Sequence, residues 1–114
     1  MGSSEDTVAR AREQCLREYA RCADECERAL ERLRDETDVP ELRTELIVCA
    51  AVCRVAARAL EDATRVAGAL VEYSVDVCRR CAERVAEAEL ESHETLAESC
   101  TAAAESATTL LLIA

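Results

Sequence analysis

The sequence predicts an all-α protein, an up-down-up-down antiparallel four-helix bundle with a cysteine-lined core. Apolar residues and cysteines recur at steps of three, four and seven along four stretches of the chain, the spacing that places side chains on one helix face. At 114 residues the chain fits one domain, and its apolar half is enough for a modest core. The connections between the four stretches are short, which makes sequential helices antiparallel neighbours. Large rings cannot fill that core, because the chain has two Tyr and neither Phe nor Trp; Ala, Leu, Val and Cys must do so.

The first helix is expected over about 6–34, after a flexible N-terminus at 1–5. Its seam is Val8, Cys15, Tyr19, Cys22, Cys26, Leu30 and Leu33, with Arg and Glu on the other faces. Asp38-Val-Pro-Glu41 reads as a capping box for a second helix over about 39–61, with Pro40 tolerated in the first turn. That helix carries the seam Leu42, Leu46, Cys49, Cys53, Ala56 and Leu60. It also carries a second apolar face of Ile47, Val48, Ala51, Val52 and Val55. A small bundle cannot bury both, so the second face is expected to pack on another subunit in a homo-oligomer, a dimer or a tetramer.

The next break, Glu61-Asp-Ala-Thr64, is weakly marked, with Asp62 as the cap candidate for a third helix over about 63–90. Its seam is Val71, Ser74, Cys78, Cys81 and Val85, and Gly68 costs it roughly 1 kcal/mol relative to Ala. Ser92 is the expected cap of a fourth helix over about 92–112, with seam Leu96, Cys100, Ala103, Ala107 and Leu110 or Leu111. The whole of 6–112 is thus expected to form one domain.

Counting inward from the end that holds the first and third connections gives a register. Cys26, Cys49, Cys81 and Cys100 fall about eight to ten residues in, roughly 12–15 Å at the helical rise, one sulfur from each helix. Cys22, Cys53 and Cys78 form a second layer about one turn deeper, where Ala103 or Thr101 supplies no thiol. Cys15 lies further along, alone, near Leu60, Val71 and Ala107.

Cysteine is a small hydrophobe that often packs in cores. Eight in 114 residues, however, approaches the level at which cysteine content becomes diagnostic in short chains, and all eight sit on seams. Intrahelical pairs three or four residues apart have poor geometry for a disulfide. Soft thiolates select Cu(I), zinc or iron–sulfur clusters. A zinc or an iron–sulfur cluster would use the Cys26, Cys49, Cys81 and Cys100 layer alone. Cu(I), which accepts two or three thiolates and can be bridged by sulfur into clusters, uses paired and layered thiols alike.

Charge and composition bear on partners and place. All 14 basic residues are Arg, against 24 acids, for a net charge of −10. That balance argues against nucleic acid or an anionic membrane as partner and mildly favours a cation. Met1 to Arg10 is acidic and polar, unlike a secretory signal, and Leu110 to Ile113 is too short to span a bilayer. A soluble cytoplasmic protein is expected, in a reducing setting where clustered cysteines stay free of disulfides. Carboxylates such as Glu13, Glu18, Asp24, Glu25, Glu83, Glu94 and Glu98 read as solvated faces. No Glu-x-x-His motif, phosphate loop or Cys–His pair with an orienting group is present, so an enzyme is not expected.

Cys15, Cys22-Ala-Asp-Glu-Cys26, Cys49-Ala-Ala-Val-Cys53, Cys78-Arg-Arg-Cys81 and Leu96-Ala-Glu-Ser-Cys100 together resemble the cysteine-rich four-helix bundles of the copper storage protein family, over about residues 12–109. The resemblance implies a cytosolic bundle that holds many Cu(I) ions on inward-facing cysteines, usually as a tetramer. It makes all eight cysteines metal-ligand candidates and adds His93, because family members use histidines near the open mouth. This chain has Tyr19, Ser74, Val85, Leu96, Ala103 and Ala107 where the family tends to place further cysteines, which implies a lower capacity. A helical oligomerisation module, in which the thiols only pack, remains the structural alternative.

Overall fold

The computed structural model describes residues 3–88 and 93–114. They form four helices: α1 (Ser3–Arg32), α2 (Pro40–Glu61), α3 (Ala67–Ala88) and α4 (His93–Ile113). Each packs on two neighbours, α1 on α2 and α4, and α3 on α2 and α4, with no close backbone approach across either diagonal. The result is a four-helix bundle, one helix at each corner of its cross-section, 54 × 24 × 18 Å overall. Its core is built as the seams require. Cys15, Tyr19, Cys22 and Cys26 of α1, Leu46, Cys49, Cys53 and Ala56 of α2, Val71, Ser74, Cys78, Cys81 and Val85 of α3, and Leu96, Cys100, Ala103 and Ala107 of α4 are all at most 1% exposed.

The helix ends depart from expectation in three places. α1 is already helical at Ser3, with Glu5 and Asp6 in its first turn, where acidic side chains favour the positive end of the helix dipole. α2 is capped by Val39, with no side-chain cap hydrogen bond, so the Asp38/Glu41 capping box is not made. Pro40 at the first helical positions brings no N–H to satisfy, which lowers the need for one. From the first turn of α2, Arg43 satisfies carbonyls at the end of α1 and beyond it, donating to that of Leu33 at 2.7 Å and to that of Glu36.

The second connection is the larger correction. Asp62 is the C-cap of α2 rather than the start of a helix, and α3 begins at Ala67, four residues beyond the expected 63. Ala63 takes a left-handed φ of 51°. The Ala63 N–H donates to the Leu60 carbonyl at 3.2 Å and the Thr64 N–H to the Ala59 carbonyl at 3.1 Å, the paired bonds of a Schellman C-cap. The sequence hides this stop because its left-handed position is usually Gly and here is Ala. The expected Ser92 cap lies outside the described residues.

Along the axis the core has three zones. At the end that holds residues 33–39, Leu46, Val85 and Leu96 sit one helical turn outside the outermost cysteines of their helices, and all three are buried. Cysteines fill the middle. At the far end Val71, Leu110 and the partly buried Val8 and Leu60 line one apolar hollow, and Arg12 donates to the Leu60 carbonyl at 3.3 Å.

Candidate metal centre

Each cysteine is placed by the helical period on the inward stripe of its helix. All eight are free thiols and all are buried. The helices differ in what they bring: Cys15, Cys22 and Cys26 come from α1, Cys49 and Cys53 from α2, Cys78 and Cys81 from α3, and Cys100 from α4.

The sulfurs meet in two overlapping groups. Cys22, Cys26, Cys49 and Cys100 have ligand atoms all within 4.8 Å of one another, and so do Cys22, Cys49, Cys53 and Cys78. Cys22 and Cys49 belong to both. Individual Sγ–Sγ separations are 3.7 Å for Cys22–Cys49, 3.6 Å for Cys22–Cys100, 3.6 Å for Cys53–Cys78 and 4.0 Å for Cys49–Cys78. A three- or four-coordinate first-row ion with bonds of roughly 2.3 Å, the zinc–sulfur value, sets its sulfurs about 3.8–4.0 Å apart. These four separations lie close to that range.

This grouping corrects the layers counted from register. Cys81 does not join the outer group; Cys22 takes the fourth place. Cys81 lies beside Cys26 and Cys100 at the rim. The count assumed that each helix gives one sulfur per layer, whereas Cys22 projects between the layers and touches both. Cys15 is outside both groups, as the register expected. His93 is the first residue of α4, partly buried, and is also outside them.

Proton affinities within the array are uneven. The thiolates of Cys22 and Cys49 are favoured, first by the contact with Cys100 and then by Cys26 and Cys53, whereas Cys49 itself raises Cys22. Cys53, Cys78 and Cys100 are raised, each first by its hydrogen bond with Cys22. Cys100 favours the Cys26 thiolate, but Cys22, Cys49 and Cys81 raise it on balance. A buried thiolate surrounded by S–H donors is stabilised, and each further one beside it is resisted by repulsion and desolvation. Only a cation lets most of these sulfurs ionise together.

Beyond the array lies a polar contact that the spacing alone did not show. The Tyr19 hydroxyl is 2.6 Å from Ser74 Oγ, and Ser74 donates to the Val71 carbonyl at 2.6 Å, so Tyr19 donates to Ser74. The signal was present: two polar side chains on apolar seams must find partners when buried. Cys15 pairs with Tyr19, not with another cysteine. Burial pushes the Cys15 thiol up to about 11, and the Glu18 charge adds to the rise.

Four helices around a buried, clustered set of free thiols define a class of protein, the helical bundle with a sulfur-lined core. The sequence profile of the copper storage protein family matches residues 4–112, nearly the whole chain, and the chain belongs to that family. No curated protein matches it significantly. Among the described residues no helix is long and apolar enough to cross a membrane.

Proposed function

We propose that this protein is a cytoplasmic, non-catalytic store or buffer for Cu(I), with Cys22, Cys26, Cys49, Cys53, Cys78 and Cys100 as the main ligands and Cys81 at the rim. The observation that carries it is the pair of four-sulfur groups sharing Cys22 and Cys49. Sulfurs shared between adjacent sites suit an ion that takes two or three thiolates and tolerates bridging. A single zinc ion would use one group and leave the remaining thiols idle. Family membership points the same way.

Binding is an exchange: each ligating thiol releases its proton to solvent as its sulfur bonds to copper. Each thiolate after the first forms beside bound positive charge, which offsets its repulsion by the sulfurs already ionised. Burial of every thiol keeps the loaded metal from water and oxygen. His93, at the mouth end, is proposed as a contact on the way in. Assembly through Ile47, Val48 and Val55, which are 52%, 37% and 52% exposed on α2, is the proposed oligomer interface.

Anaerobic titration of the reduced protein with Cu(I) against a competing chromophoric chelator tests the reading. Several equivalents per chain held against the chelator, with the thiols then protected from alkylation, are expected. At most one weakly held equivalent would overturn it.

A further inference from the structure

We propose that Tyr19 and Ser74 form a crossbar that closes the thiol chamber at its inner end, excludes Cys15 from the metal array and so sets the protein's capacity. The inference rests on the Cu(I) reading above and deepens it. Tyr19 belongs to α1 and Ser74 to α3, diagonal helices whose backbones do not approach each other. The 2.6 Å hydrogen bond between them therefore spans the full cross-section of the core. Both residues are 0% exposed, and Tyr19 is the largest fully buried side chain among the described residues.

Position makes this pair a boundary. Tyr19 follows Cys15 by four residues and precedes Cys22 by three, so on one helical stripe it stands between them. Ser74 stands one turn beyond Cys78, the deepest cysteine of α3. Cys53 borders the ring from the chamber side and Cys15 from the other. Every sulfur of the two groups lies on the chamber side of the ring, and Cys15 is in neither group although it is fully buried. The Ser74 Oγ is already committed to Tyr19 and to the Val71 carbonyl. The ring is thus held in place rather than free to swing aside for an ion.

Two variants test it by Cu(I) stoichiometry under the same chelator competition. Cys15→Ser is expected to hold as many ions as the parent. Tyr19→Cys/Ser74→Cys removes the bar and adds two sulfurs between Cys15 and the chamber; it is expected to hold at least one more ion per chain, with part of that gain lost when Cys15→Ser is added. Helical circular dichroism checks that the variants fold, and Tyr19→Cys alone, which removes the ring, serves if the double variant does not; it too is expected to take up more metal than the parent. Tyr19→Phe keeps the ring and is expected to keep the parental stoichiometry even if it melts earlier, which separates blocking from general stability. Loss of bound copper in Cys15→Ser, or no gain in a folded variant with added cysteines, overturns the inference while leaving the store intact. A parent that binds no Cu(I) overturns both.

Discussion

Cys22 and Cys49 are the two sulfurs common to both groups, and their joint replacement by Ser tests the shared-ligand geometry directly. Without them the outer group keeps only Cys26 and Cys100, and the inner only Cys53 and Cys78. The surviving pairs, with Cys81 beside the outer one, no longer share a sulfur that could bridge ions into a cluster, so Cu(I) held against the chelator should fall by more than half. Replacing Cys26 and Cys100 instead leaves the whole inner group, and replacing Cys53 and Cys78 leaves the whole outer one; each should cost roughly half or less. The three double variants carry similar folding penalties, because each buries two hydroxyls in place of thiols at about 1–3 kcal/mol apiece. Their thermal melts without metal should therefore be alike while their stoichiometries differ. The assay is the anaerobic titration followed by elemental analysis. Equal losses across the three double variants would refute the idea that two junction sulfurs link the sites.

Three further outcomes are expected. Ala63→Gly relieves a left-handed residue, φ 51°, at the end of α2, and should stabilise the protein by about 1 kcal/mol, or a few degrees in thermal melting. The metal-free protein should lose stability as pH rises from 9.0 towards about 11. The Cys15 thiol has its folded pKa raised over that window, so the unfolded chain ionises first. Two pH units correspond to about 2–3 kcal/mol for Cys15, and Cys15→Ala should lessen the fall in denaturant midpoint across the same range, the other raised thiols keeping the rest of it. Ile47→Glu/Val55→Glu should convert an oligomer to a monomer in analytical ultracentrifugation without loss of helix, since both side chains are 52% exposed in the single chain; a parent that sediments as a monomer would sink the proposed interface.

The inward stripes were legible because helical periodicity is local: every cysteine singled out by spacing is buried, and so are Tyr19, Ser74, Val85 and Leu96. Helix ends were less legible. The α2 stop depends on a backbone conformation that Ala63 adopts against its own preference, and the α2 start on a Val39 cap with no side-chain bond. Which sulfurs would touch was only partly legible. Register gives depth along the axis, but it does not give the direction in which a side chain leans. Cys22 leans between two layers, whereas Cys81 stays at the rim beside Cys26 and Cys100. The Tyr19–Ser74 bond is of the same kind, because it joins residues 55 apart on helices whose backbones do not approach each other.

The small residues of α4 explain how one cysteine on that helix can reach the array. Ala103, Ala104 and Ala107 are buried to 1% exposure or less, so no bulky side chain holds α4 away from α1 and α3 below Cys100. Close approach brings the Cys100 sulfur to 3.6 Å from Cys22. Above Cys100 the buried Leu96 does the opposite, filling the section towards the mouth with Leu46 and Val85. The chamber is therefore bounded by aliphatic side chains on one side and by the Tyr19–Ser74 bar on the other. Its contents are thiols whose only route to full ionisation is a bound cation. Enlarging Ala103 to Leu should push α4 outward and separate Cys100 from Cys22. It would weaken the outer group first and leave Cys22, Cys49, Cys53 and Cys78, which need nothing from α4, able to bind.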